Sequence, residues 1–150
     1  MMFVRQMLVS DIDRVYEIAC LSLDEEYVRE VFFYFISGWP AGQLVAISTM
    51  GEIIGFLSSA RLTSDKVTIP LFAVAPKHRR TGAGSRLIEE FKIKAMMDNK
   101  QFIQLEVKDT NTPAVSFYRK TGFTPVEYLN GFYSGGGNAV RMICRIRGNS

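Results

Sequence analysis

The order of apolar and polar residues predicts a succession of strands and helices. Met2 to Leu8 carries alternating, β-prone residues and is predicted to be the first strand. Apolar residues then recur at helical spacing as far as Leu23, and Ser10 with Asp13 three residues later is typical of a helix start. A second helical stretch, Tyr27 to Ser37, is apolar on most sides, which predicts either a core helix or the wall of an apolar groove.

Further strands and helices are predicted in the remainder of the chain. The strands are Gln43–Thr49, Ile53–Leu62, Lys66–Val74, Phe102–Lys108, Thr124–Leu129 and Ala139–Ile146, and the helices are Ala83–Asn99 and Pro113–Thr121. The strand ending at Val74, the helix from Ala83 and the strand from Phe102 form one βαβ unit, so these two strands should be parallel. We therefore expect an α/β fold in a single domain, residues 1–150.

A basic, glycine-rich turn, Val74 to Gly84, precedes the long helix. A helix N-terminus leaves backbone N–H groups unpaired, and its dipole favours negative charge. Gly82 and Gly84 allow an oxygen-rich ligand to approach the backbone, while Arg79 and Arg80 add positive charge. We interpret the turn as a pyrophosphate cradle, and a basic surface turn that merely begins a helix is the alternative. The sequence lacks both the G-x-x-x-x-G-K-[ST] and the G-x-G-x-x-G phosphate-binding motifs.

Composition narrows the class of protein. The chain has 150 residues, 47% of them hydrophobic and 22% charged, which predicts a globular protein. Its net charge of +3 comes from dispersed basic residues, so we expect no nucleic-acid partner. No apolar run reaches the roughly 18 residues of a membrane span, and no signal peptide is evident, so we expect a cytoplasmic protein without a membrane partner. Cys20 and Cys144 are expected to be free thiols, with a disulfide as the alternative, and a metal site is not expected.

Two stretches carry a family resemblance. The pattern Arg79-x-x-Gly82-x-Gly84 resembles motif A of the GNAT superfamily of N-acetyltransferases. Leu105-Glu106-Val107, followed by Asn111, Ala114, Phe117-Tyr118 and Gly122-Phe123, is similar to motif B of the same superfamily. The resemblance covers essentially the whole chain. It implies the GNAT fold: a twisted mixed sheet of about seven strands, helices on both faces, and a cofactor at a parallel strand pair that splays apart.

Within that superfamily the chain is most similar to bacterial and archaeal protein N-terminal acetyltransferases, including the ribosomal-protein-alanine type. The segment Leu23 to Tyr27 is similar to their Leu-Pro-Glu-Asn-Tyr loop, with Asp24 in place of proline. Phe132-Tyr133, with Gly136 and Ala139, resembles their Tyr-Tyr-x-x-Gly-Glu-Asp-Ala hairpin. The resemblance implies that protein N-termini are acceptors, ribosomal proteins among them. We expect a monomer or a weak homodimer.

The resemblance also implies which residues bind acetyl-coenzyme A. They are Phe72, Ala73, Val74, Arg79, Arg80, Thr81, Gly82, Ala83, Gly84, Ser85, Asn111, Ala114, Phe117 and Tyr118. The turn would hold the pyrophosphate, and the edge of the strand that ends at Val74 would pair with the amide groups of the pantetheine arm. The backbone N–H near Val74 would polarise the thioester carbonyl. Asn111 would bond the arm, cap the following helix, or both.

An amine can attack the thioester directly, so no protein nucleophile is required. Glu106 is the candidate base, through a water, and a salt-bridged strand residue is the alternative. Glu25 is a second candidate base, or a residue that orients the amine. Tyr118 is the candidate acid for the leaving thiolate, with a packed core tyrosine as the alternative. Tyr27 and Tyr133 would clamp the peptide backbone from two loops.

The sequence is compatible with three functions. The first is N-terminal acetylation of proteins. The second is acetylation of a lysine or of a small amine such as a polyamine or antibiotic, which would use the same cofactor site. The third is a non-catalytic acyl-coenzyme A sensor, which the presence of both Glu106 and Tyr118 disfavours. Peptides with free and with blocked N-termini separate the first function from the others.

Overall fold

A computed structural model describes residues 1–23 and 26–146 of the chain. Its strands and helices follow one another in the order that the sequence predicts. In chain order they are β1 Phe3–Gln6, α1 Ile12–Ser22, α2 Glu30–Gly38, β2 Leu44–Ile47, β3 Ile53–Arg61, β4 Lys66–Val74, α3 Ala83–Met97, β5 Phe102–Lys108, α4 Thr112–Lys120, β6 Thr124–Leu129 and β7 Ala139–Arg145. The predicted bounds of β4, β5 and β6 are confirmed to the residue.

The starts of α1 and α2 differ from the predictions, whereas α3 begins at Ala83 as predicted. A 3-10 turn, Val9–Asp11, precedes α1, so the predicted start at Ser10 falls inside that turn. The carboxylate of Asp11 accepts the N–H of Leu8 at 2.7 Å, which orders the turn before the helix. The second helix begins at Glu30, three residues after the predicted Tyr27. Apolar spacing locates the buried face of a helix, but the first turn depends on hydrogen bonds that the spacing does not report.

Within residues 1–23 and 26–146 the sheet has seven strands in the order β1-β2-β3-β4-β5-β7-β6. Among the strands that the structure describes, only β4 and β5 pair in parallel, which confirms the prediction from the βαβ unit. Their pairing covers Lys66–Thr68 against Phe102–Gln104, and beyond this segment the two strands separate. A V-shaped gap therefore opens in the middle of the sheet, toward the carboxyl ends of β4 and β5.

A bulge in β4 accompanies the separation. Between the pairs Ser58–Leu71 and Ala60–Thr68, β4 advances three residues while β3 advances two. One extra residue reverses the faces to which later side chains point. Accordingly Ile69 packs into the core on one side of the sheet, whereas Leu71 packs into the core on the other. The bulge thus begins where the pairing of β4 with β5 ends, and bulged strands bend at such a point.

Helices cover both faces of the sheet. On one face α3 buries its predicted apolar stripe, which consists of Leu87, Ile88, Phe91 and Ala95. On the other face α1 and α2 pack against β3 and β4 and bury Phe32 and Phe35, which confirms a core role for α2. Cys20 is exposed and Cys144 is buried, and both are free thiols as expected. Among the described residues, no helix has the length and apolar character needed to cross a membrane.

Candidate active site

The gap presents an unpaired strand edge. The N–H of Ala75 donates to the carbonyl of Ile54 at 2.8 Å, and hydrogen-bonded pairs alternate along antiparallel strands. The N–H and C=O groups of Phe72 and Val74 therefore point away from β3 and into the gap. The hydroxyl of Ser22, at the end of α1, reaches the carbonyl of Val74 at 3.4 Å. This edge has the form required to pair with the amide groups of an extended ligand.

The glycine turn lies where this edge ends. Two of its residues have left-handed backbone conformations, Arg80 at φ 65° and Gly82 at φ 88°. No group in the described part of the chain accepts a hydrogen bond from the backbone N–H groups between Arg79 and Ser85. Successive N–H groups in such a turn form a concave anion site, and here the start of α3 adds its dipole. The geometry fits the predicted pyrophosphate cradle.

Glycine is required at positions 82 and 84 of this turn for different structural reasons. A Cβ at Gly82 would meet nothing within 4 Å, so the residue is required by its positive φ and the space beside it is open. A Cβ at Gly84 would lie 3.3 Å from Cζ of Phe117 and 3.4 Å from Cζ of Phe72. Gly84 therefore allows the start of α3 to approach these two aromatic rings, a role that its motif does not indicate.

Aromatic side chains form one wall of the gap. The rings of Phe72 and Phe117 stack with centroids 6.0 Å apart, and Tyr118 lies 6.2 Å from Phe72 and 5.7 Å from Phe123. Burial raises the pKa of the Tyr118 phenol above its ordinary value, and the nearby phenol of Tyr133 raises that pKa further. Tyr118 therefore remains protonated at neutral and moderately alkaline pH, as a proton donor must.

Helix α4, which carries Tyr118, is positioned by its cap. The side-chain oxygen of Asn111 accepts the N–H of Ala114 at 3.3 Å, which confirms the predicted capping role. The N–H of Asn111 in turn donates to the carbonyl of Lys108 at the end of β5. The helix is thus tied directly to the strand that borders the gap. Ala114 packs partly buried against the core beneath α3.

Glu106 lies on the opposite face of the sheet from Tyr118. Leu105 and Val107 point into the core beneath α3, so the side chain of Glu106 between them points to the other face. Its Oε2 accepts hydrogen bonds from Nε of Arg141 at 2.8 Å and from Nε2 of Gln104 at 3.1 Å. Glu106 is therefore a salt-bridged strand residue, which is the alternative to its role as a base. It also borders the gap, which is where a base for the acceptor amine would have to lie.

Of the predicted acceptor residues, Tyr27 lies on that same side, and Tyr133 lies near the Tyr118 phenol. Tyr27 packs partly buried against the core beneath α1 and α2. The ring of Tyr133 lies 5.0 Å from that of Phe132, with Nζ of Lys108 5.5 Å from its centroid. Glu25 lies outside the described residues. A cavity of about 350 Å³ adjoins this region and is lined by Lys108, Asp109, Thr110, Tyr133, Gly135, Gly137 and Asn138.

Sequence reasoning missed several residues that border this site. Arg141 had no local signal, because its partnership with Glu106 depends on the register of β5 against β7. Asp109 accepts a hydrogen bond from the hydroxyl of Tyr128 at 2.7 Å, which links the end of β5 to β6. An acidic residue directly after a strand at the gap is a signal that could have drawn attention to Asp109.

Comparisons with known proteins identify the family of the chain. The Acetyltransferase (GNAT) family profile matches residues 12–123. An "N-alpha-acetyltransferase" of Saccharolobus solfataricus is 32% identical over 151 residues, which cover 93% of this chain and 90% of the relative. The crystal structure of Ard1 from Thermoplasma volcanium superposes with a TM-score of 0.93 and 31% identity, covering 98% of this chain and 99% of that one.

A more distant structure shares the fold. The GNAT acetyltransferase of Elizabethkingia anophelis, solved with acetyl-CoA bound, has a TM-score of 0.77 and 16% identity, and the match covers 96% of this chain and 97% of that one. With the family profile matching most of the chain, the protein belongs to the GNAT family and is an acetyltransferase.

Proposed function

We propose that this protein transfers the acetyl group of acetyl-coenzyme A to the free α-amino group of protein N-termini. The observation that carries the proposal is the arrangement around the gap, with the Tyr118 phenol on one face of the sheet and the Glu106 carboxylate on the other. Relatives that match nearly the whole chain and are named N-alpha-acetyltransferase support the α-amine as acceptor.

Acetyl-coenzyme A fits the observed cradle and strand edge. The unpaired N–H groups from Arg79 to Ser85 would hold the pyrophosphate, and the outward N–H and C=O groups of Phe72 with the C=O of Val74 would pair with the arm. The bound molecule supplies an acetyl group activated as a thioester. The N–H of Val74 would then donate to the thioester carbonyl oxygen, where negative charge develops.

The two side chains would move protons in opposite directions. As the acceptor nitrogen bonds to the acetyl carbon, Glu106 takes a proton from that nitrogen, through a water. As the carbon–sulfur bond breaks, Tyr118 gives its proton to the sulfur. A peptide α-amine has a pKa of about 7.7–8.0 and a lysine side chain one of about 10.4, so an α-amine needs less help from a base at neutral pH.

Peptides with one acceptor group each test the acceptor. The set consists of a peptide with a free N-terminus and no lysine, a blocked peptide with one lysine, and spermidine as a polyamine. Mass spectrometry of each after incubation with acetyl-coenzyme A should show acetylation of the free N-terminus only. Acetylation of the blocked peptide or of spermidine, with none at the free N-terminus, would overturn the proposal.

The pH dependence of two variants tests the residue roles. Glu106→Gln should lower kcat/KM by about 10²–10⁴, and the loss should shrink from pH 6 to about 9.5 because more of the amine is already neutral. Tyr118→Phe should lower kcat/KM by a similar factor. This loss should persist or grow as the pH rises, because a more alkaline solution supplies no proton for the sulfur. Tyr34→Phe, exposed on α2, is the matched control and should behave like the parent. If Glu106→Gln retains full activity at every pH, the base is another residue.

A further inference from the structure

A charged network spans three neighbouring strands beside the gap. Arg141 on β7 lies directly opposite Glu106 on β5 and opposite Glu127 on β6. Its Nε donates to Oε2 of Glu106 at 2.8 Å, and its Nη1 donates to Oε1 of Glu127 at 2.9 Å. The side chain of Arg141 is 29% exposed and that of Glu106 is 17% exposed. Both groups of the inner pair are therefore partly shielded from solvent.

The two carboxylate oxygens of Glu106 differ in their hydrogen-bond partners. Oε2 accepts from both Arg141 and Gln104, whereas no group in the described part of the chain donates to Oε1. Two donors, Arg141 and Gln104, hold Oε2, and the second arm of the guanidinium is itself held by Glu127, so the orientation of the Glu106 carboxylate is restricted. Oε1 is then the oxygen left to bind a water or an amine.

We propose that Arg141 is a positioning residue that holds Oε2 of Glu106 so that Oε1 serves the acceptor amine. The proposal rests on the function proposed above, in which Glu106 is the base. Glu127 contributes by engaging the second arm of the guanidinium from the solvent side, since its own side chain is 53% exposed. A base displaced by about 1 Å can lose about 10²-fold in rate, which sets the scale of the effect.

Other roles for Arg141 make different predictions. If it bound the acceptor peptide directly, its removal would raise the KM for peptide and leave kcat unchanged. If it were only a structural ion pair, its removal would lower the melting temperature without a specific loss of kcat. Acting through Glu106, it should affect kcat, and only while Glu106 is present to be positioned.

A double-mutant cycle with Glu106→Gln tests the proposal. Arg141→Met should lower kcat by about 10- to 100-fold with little change in the KM for peptide. Arg141→Lys keeps a cationic donor and should recover part of the loss. In the Glu106→Gln background, Arg141→Met should cause no further loss, because residues that act as a unit are non-additive. Arg61→Met is the control, since it removes a comparable 2.8 Å ion pair with Asp98 on the opposite face of the sheet.

The outcomes separate failure of this inference from failure of the proposed function. Full kcat in Arg141→Met overturns the inference, as does an equal loss from Arg141→Met with and without Glu106. A rise in the KM for peptide alone also overturns it, in favour of acceptor binding. If Glu106→Gln itself is fully active, the base assignment fails first. If Arg141→Met does not fold, Arg141→Lys in the same cycle provides the test.

Discussion

Replacement of Gly82 by alanine tests the pyrophosphate cradle, because the structure provides a matched control. Gly82 has φ +88° and Gly51, in the turn between β2 and β3, has φ +83°. A Cβ at either position would meet nothing within 4 Å, so neither substitution causes a steric clash. The two substitutions therefore introduce the same backbone strain, and only Gly82 lies in the turn that would hold the ligand.

The expected magnitudes follow from this geometry. A left-handed conformation is disfavoured by about 1–2 kcal/mol for a residue with a Cβ. For a domain of this size each kcal/mol lowers the melting temperature by about 2–4 °C, so both variants should melt about 2–8 °C below the parent. In Gly82→Ala the turn can relieve strain by turning its N–H groups away from the anion. Loss of one hydrogen bond to a charged group, about 1.5–3 kcal/mol, would raise the Kd for coenzyme A by about 10- to 150-fold.

Calorimetric titration with coenzyme A and thermal unfolding, run on both variants, provide the measurement. Gly51→Ala should melt lower and bind coenzyme A like the parent, while Gly82→Ala should melt lower and bind weakly. Equal affinities in the two variants, at equal losses of melting temperature, would refute the cradle. Gly84→Ala is a useful third variant, because it presses on Phe117 and Phe72 without adding left-handed strain.

Two further predictions concern the acceptor side and stability. Tyr133→Phe should raise the KM for peptide and leave the affinity for coenzyme A unchanged, as expected for lost uniform binding; a matched loss of coenzyme A affinity would contradict its placement. The hydrogen bond from Arg61 holds the pKa of Asp98 below its ordinary value. The ion pair stabilises the folded state fully above the carboxyl pKa of the unfolded chain, about 3.9. This stabilisation disappears as the pH falls through the lowered pKa of Asp98 in the folded state. Asp98→Asn should therefore have a lower melting temperature than the parent at pH 6 but not at pH 2. A difference in melting temperature that does not change with pH would contradict a stabilising role of the ion pair.

Local sequence patterns determined the elements of this protein. The bounds of β4 and β5 and the buried stripe of α3 followed from apolar periodicity, because burial on one face is repeated at every turn or every second residue. The glycine turn could also be located from the sequence, because its features are local. Its function as a candidate anion site comes from residues adjacent in sequence, namely a strand end, left-handed glycine geometry and a helix start.

Tertiary structure alone decided how the site is assembled. The bulge in β4 lies between the pairs Ser58–Leu71 and Ala60–Thr68, and although Pro70 within it is compatible with a bulge, the pairing of β3 with β4 is seen only in the folded chain. Arg141 reaches Glu106 across 35 positions of sequence because β5 and β7 pair in one particular register. A shift of that register by one residue would turn the guanidinium to the other face of the sheet. Register depends on the packing of the whole sheet, so the partners of the candidate base could be found only in the folded chain.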